Sequence, residues 1–182
     1  MSQTYCYHQK NQLMECSMFF IRKANQNDVS DIAHIHFTSW HATYVDLLPK
    51  TYRDKENNLS QKIEMWGKII LSSGVSTWIA YDPENNNVGF ISYFTKDHEC
   101  EITTLYILPQ YQGLGLGTKL MNSAIDDISQ HNRCISLSLW VLKTNLTAIS
   151  FYEKIGFKSD GKHSEETYED TRIIDIRMVK SL

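Results

Sequence analysis

Leu105-Tyr106-Ile107-Leu108-Pro109-Gln110-Tyr111-Gln112-Gly113-Leu114-Gly115-Leu116-Gly117-Thr118 is the stretch that decides how this chain is read. An apolar, β-prone run stops at a proline, which cannot donate to a sheet ladder. Three glycines then lead into Leu116, Leu120, Met121, Ala124, Ile125 and Ile128, spaced as one face of a helix. Such a strand-turn-helix junction suits an anion. Backbone without Cβ atoms can approach it closely, and the first helical N–H groups point at it. The helix dipole adds about 0.3–1 kcal/mol per exposed interaction. Pyrophosphate or phosphate is the natural ligand, although glycines alone fit a tight turn with no ligand equally well.

Two other phosphate loops fail on spacing. A Walker A loop ends in Gly-Lys-Ser/Thr, whereas the order here is Gly117-Thr118-Lys119 after shorter intervals. A dinucleotide-binding fingerprint would place a glycine at Thr118 and open the chain with a βαβ unit, which is not the pattern.

Upstream, Met18 to Arg22 reads as a first strand. Asn25 is a good N-cap with Asp28 placed for a capping box, and Val29, Ile32, Ala33, His36, Phe37 and Trp40 form one apolar helical face. That pattern breaks at Asp46-Leu47-Leu48-Pro49, and a less regular helix covers Leu59 to Leu71. Thr77–Tyr81 and Val88–Phe94 flank a dense turn signal, Asp82 to Asn87, and form a hairpin; Cys100 to Leu108 is the next strand. Downstream, Ile135 to Leu142 is a buried strand, Asn145 to Ile155 a helix closed by Gly156, and Arg172 to Val179 a last strand. The order is mixed α/β, with 1–17 as an extension and 18–182 as one domain.

The bulk numbers are those of an ordinary globular chain: 182 residues, 42% hydrophobic and 21% charged. A net charge of -3 argues against nucleic acid, which needs a basic face. No apolar run is long enough to span a bilayer, and Met1 to Ser17 lacks the apolar centre of a secretory signal, so no membrane role is expected. Cys6, Cys16, Cys100 and Cys134 show no zinc-ligand spacing and suggest free thiols in the cytoplasm; a Cys6–Cys16 pair is the alternative. His34, His36 and His41 lack metal spacing, and His36 reads as a satisfied core histidine.

Gln112, Gly115 and Gly117 resemble the Q/R-x-x-G-x-G/A signature of GCN5-related N-acetyltransferases. Leu105 to Pro109 is similar to that family's fourth strand, and Asn145 to Phe157 to its N-x-x-A-x-x-F-Y-x-x-x-G-F segment. The resemblance runs from Phe20 to Val179 and implies a mostly antiparallel sheet of about seven strands flanked by about four helices, split between strands 4 and 5. It also implies acetyl-CoA as cosubstrate, no metal, a small-molecule or peptide amine acceptor, and a homodimer as in many relatives. Trp40, Tyr44 and Leu47-Leu48-Pro49 resemble a bacterial subgroup that includes polyamine acetyltransferases of the PaiA type.

Carried over residue by residue, the resemblance gives the pyrophosphate to Gln112, Gly113, Leu114, Gly115, Leu116, Gly117 and Thr118. It gives the pantetheine arm to the strand edge Leu105, Tyr106 and Ile107 and to Asn145 and Phe151. Asn145 is equally an N-cap. Tyr152 is the expected acid for the departing thiolate, and also belongs to an apolar helical stripe. Glu101 is the expected base or water holder, on one strand face with Thr103, Leu105 and Ile107 by period two, or else a solvated carboxylate. Trp40 and Tyr44, one turn apart, are placed to box an amine, with a core role for Trp40 as the alternative. A binding module that keeps the CoA site without turnover is the competing function.

Overall fold

Phe90 and Ile91 are neighbours in sequence yet belong to different cores, as do Ile79 and Ala80. Successive strand side chains point to opposite faces, so a sheet with helices on both sides needs apolar residues at consecutive positions. The computed structural model describes residues 19–96, 99–131 and 134–182. The expected N-terminal extension, Met18, Cys6 and Cys16 lie outside these.

The chain runs β1 (Phe20–Lys23), α1 (Val29–Tyr44), α2 (Lys50–Glu56), α3 (Leu59–Ile69), β2 (Val75–Tyr81), β3 (Asn87–Lys96) and β4 (Glu99–Ile107). It continues with α4 (Leu116–Gln130), β5 (Ser136–Leu142), α5 (Leu146–Lys154), β6 (Lys158–Tyr168) and β7 (Thr171–Ser181). Among the described residues the seven strands form one sheet in the order β1-β2-β3-β4-β5-β7-β6. Every pairing is antiparallel except β4 with β5. This is the mixed α/β fold expected, including the split between the fourth and fifth strands.

The capping box also forms. The Asn25 side chain accepts from Asn27 N–H, and Asp28 accepts from the Asn25 N–H at 2.8 Å while Arg22 grips it with two 2.8 Å bonds. Two elements were not expected. α2 has no apolar stripe, and is tied down by Arg53 Nε donating to the Leu48 carbonyl and by Tyr52 donating to Glu166 of β6 at 2.5 Å. β6 is exposed along nearly its whole length and is a strand because β7 pairs with it. The expectation of free thiols is not met either: Cys100 and Cys134 are joined by a disulfide, with Cα atoms 6.1 Å apart. Spacing in the sequence does not reveal the pair, because 34 residues separate the two cysteines and the fold alone brings them together.

The core on one face packs α4 and α5 against the sheet; that on the other packs α1 and α3 through Ile32, Ile35, Trp66, Ile79 and Phe90. His36 sits buried in the second. Its Nδ1 accepts from the Trp66 indole at 3.1 Å, Lys62 Nζ lies 3.3 Å from Nε2, and the ring stacks on Tyr106 at 4.8 Å. Burial, and then the Lys62 charge, push its pKa down from 6.5 to about 3. The folded protein therefore holds His36 neutral while the unfolded chain protonates it below pH 6.5, so stability is lost as pH falls from about 6.5 toward 3. At pH 4.5 the loss from this group is on the order of 2–3 kcal/mol. Thermal melts at pH 7 and 4.5 should show His36→Gln losing less stability than the parent over that interval.

Candidate active site

β4 is held by β3 along its whole length, but by β5 only where Cys100–Ile102 face Leu137–Leu139. β5 is then committed to β7 from Ser136 to Leu142. The two strands diverge, and the β4 edge beyond Ile102 is left without a ladder partner on that side. A register shift between Ser92 and Tyr93 accompanies the divergence, because Ser92 faces Thr104 and Tyr93 faces Ile102, so Thr103 is bulged out.

That bulge corrects the face assigned to Glu101. Cys100 and Ile102 pack with the α4 core, as do Leu105 and Ile107. Glu101 therefore lies on the opposite face, the one that carries Tyr106 into the α1 and α3 core. Its carboxyl is raised by burial and moderated by the Trp140 indole and Arg177. It does not line either cavity described below.

Two cavities open at the split. The larger, about 700 Å³, runs from Gln112, Gly115 and Thr118 at the start of α4 to Asn145 and Phe151 on α5 and its cap, and is closed by Asp46 and Leu47 in the turn after α1. The smaller, about 180 Å³, lies deeper between β4 and β5, with Tyr44, Tyr106 and Trp140 in its wall. Tyr152, Leu105, Ile107, Gln112 and Asn145 line both.

The glycines of the turn divide their labour. Gly115 caps α4 at φ 78° with no side-chain cap bond, leaving the first helical N–H groups turned to the larger cavity. Gly113 has φ 75°, and a Cβ at either site would meet open space. Gly117 is different: a Cβ there would stand 3.1 Å from the Phe151 ring, so this glycine lets α5 approach α4. Gln112 anchors the turn by donating Nε2–H to the Ile107 carbonyl at 3.0 Å. Leu114 is exposed and lines neither cavity, and Leu116 is in the core. Asn145 is buried, caps α5 by accepting from Ala148 N–H at 3.1 Å, and still lines both cavities, so its two readings coexist.

Tyr152 stands at the boundary of the two cavities, its phenol raised above the usual range by burial first and Tyr44 second. Burial also raises Tyr44 and, further, Tyr106, each also feeling the other's hydroxyl. All three are neutral phenols near pH 7, able to donate. Trp40 is not brought to the cavities; its ring packs on Tyr44 at 4.8 Å and faces Lys62 Nζ at 5.7 Å, so the cation it meets is the protein's own. Thr43, Asp46, Trp140 and the Tyr106 side chain were missed in the sequence; only the break at Asp46–Pro49 hinted at them. Thr104 Oγ1, buried without a partner, is a further unspent polar group in the smaller cavity. Among the described residues no group of three or more metal-ligating side chains occurs, and no helix is long and apolar enough to cross a membrane.

The profile of the acetyltransferase (GNAT) family matches residues 32–157. The chain is 29% identical over 141 residues to the uncharacterized N-acetyltransferase YuaI of Bacillus subtilis, covering 75% of this chain and 78% of that one. It is 21% identical over 145 residues to the spermine/spermidine N(1)-acetyltransferase of the same organism, covering 78% and 89%. Among solved structures, the PaiA N-acetyltransferase of Thermoplasma acidophilum in complex with coenzyme A superposes with a TM-score of 0.77 at 22% identity, covering 91% of this chain and 99% of that one.

The glycine roles give separable outcomes. Gly115→Ala should cost about 1–2 kcal/mol from its left-handed backbone alone. Gly117→Ala should instead shift Phe151 and weaken coenzyme A binding. Melting temperature against coenzyme A titration distinguishes the two; equal effects on both readouts would contradict the assignment.

Proposed function

The chain belongs to the acetyltransferase (GNAT) family, and from that premise we propose that it transfers the acetyl group of acetyl-CoA to the primary amine of a small molecule. The observation that carries this reading is the pair of cavities meeting at Tyr152: one has an anion-ready helix start, the other is a small phenol-walled chamber. The pyrophosphate sits on the N–H groups that follow Gly115, where charge-assisted hydrogen bonds to backbone are strongest. The pantetheine arm lies along the unpaired edge of β4, as an added strand would, with Asn145 opposite. This aims the thioester at the boundary between the cavities. The amine attacks from the smaller side, and Tyr152 gives its proton to the departing thiolate. Glu101, behind Trp140 on the acceptor face, adds negative potential rather than contact.

A cationic small-molecule acceptor is supported by Asp175. This half-buried carboxyl lines neither cavity but its charge acts on Tyr44 and Tyr52; it has no ion-pair partner among the described residues, and is raised by burial and then by Glu166. Restoring a countercharge there favours an acceptor with a second cationic group. The spermine/spermidine acetyltransferase among the relatives agrees with that preference.

Acetyl-CoA at a hundred times its dissociation constant should stabilise the fold by about 2.7 kcal/mol, read as a rise in melting temperature. No rise at millimolar acetyl-CoA would sink the reading. Release of coenzyme A thiol across an amine panel should favour diamines and polyamines over monoamines. Tyr152→Phe should lower kcat on the order of a hundredfold while acetyl-CoA affinity stays within about twofold.

A further inference from the structure

The smaller cavity raises a question of proton accounting. Among the described residues its titratable lining side chains are Tyr44, Tyr106 and Tyr152, with no carboxylate and no imidazole. Acetyl transfer leaves one proton too many on the attacking nitrogen and one too few on the departing sulfur. A buried phenol is a poor donor to a thiolate, since an ordinary thiol has a pKa of about 8.5 and an ordinary phenol about 10, and burial pushes Tyr152 higher still. Tyr152 can release its proton only if its oxygen regains one in the same event.

Tyr44 is built to supply it. A phenol oxygen donates once and accepts twice. Tyr44, Tyr106 and Tyr152 line the same chamber of about 180 Å³, and Tyr44 can take a proton on one lone pair there while it gives up its own. Tyr106 is in turn fixed in place, stacked at 4.8 Å on His36, which accepts from Trp66. We propose, resting on the acetyl-transfer reading above, that Tyr44 is a catalytic residue that carries the proton of the attacking amine to Tyr152, with Tyr106 as its positioning residue.

The step balances without an external base. The amine nitrogen forms the C–N bond, and the C–S bond breaks with its electron pair on sulfur. The surplus N–H proton passes to the Tyr44 oxygen, the Tyr44 proton to the Tyr152 oxygen, and the Tyr152 proton to sulfur. Both phenols end as they began. Besides Tyr106, the charged group that acts on Tyr44 among the described residues is Asp175; it lies outside the chamber wall and is assigned here to acceptor binding.

Initial rates with Tyr44→Phe, Tyr152→Phe, the double variant, Tyr106→Phe and Asp175→Asn test the relay. Tyr44→Phe should lower kcat on the order of a hundredfold with acetyl-CoA affinity unchanged, and the double variant should match Tyr152→Phe alone, since one break stops the chain. Tyr106→Phe should lower kcat without raising the acceptor KM. The kcat/KM profile should rise with pH to the acceptor's own amine pKa, and the limb should move when a more acidic amine is used. Asp175→Asn should raise KM and leave that limb in place. Multiplicative losses in the double variant, full activity in Tyr44→Phe, or loss of the limb in Asp175→Asn would overturn the relay while leaving acetyl transfer standing. A parent that binds acetyl-CoA but acetylates no amine would overturn both.

Discussion

Three residues of parallel ladder hold β4 to β5, and the rest of the molecule is arranged around the point where that ladder ends. Each strand is claimed by its other neighbour, β4 by β3 and β5 by β7. Neither can turn to close the gap without giving up longer pairings. The gap leaves the backbone groups of Thr104 to Ile107 that point away from β3 without a strand partner, which a protein interior tolerates only where a side chain, water or a ligand takes them up. α4 begins where β4 stops, so a helix start and a free strand edge open into the same space. One break in the sheet thus creates the long cleft and the short chamber together.

The chamber is stiffened from behind. His36, Trp66, Lys62 and Tyr106 make a polar and aromatic cluster inside the α1 and α3 core. Buried polar groups of this kind are costly unless satisfied, and satisfied they select a single arrangement. Here the cluster fixes the ring of Tyr106 in the wall of the chamber it shares with Tyr44. Core packing and site geometry are the same contacts seen from two sides.

Much of this was legible in the sequence because it is written in local patterns. The Asn25–Asp28 box, the stripe of α1, the hairpin around Asp82–Asn87 and the glycine turn all rest on neighbours within a few residues. β6 could not be read: Lys158–Tyr168 has no alternation, and only β7 makes it a strand. α2 is polar all round and takes its place from contacts with Leu48 and Glu166. In the site, Gly115 and Asn145 were legible as backbone devices, and Tyr152 through its surrounding segment. Trp40 was misplaced because one turn of separation from Tyr44 says nothing about which of the two a cavity reaches. Glu101 was put on the wrong face because period two fails wherever a strand carries an extra residue.

That extra residue, Thr103, makes β4 a strand read in two frames. Before it, even-numbered side chains face α4; after it, odd-numbered ones do. The shift delivers Leu105 and Ile107 to the α4 core and Tyr106 to the chamber. Without it, a leucine and an isoleucine would turn toward the acceptor side and the phenol would be driven into packed helix. Residue and bulge are therefore matched: the same residues in regular pairing would exchange the two faces beyond Ile102, while loss of Thr103 together with its bulge would keep them.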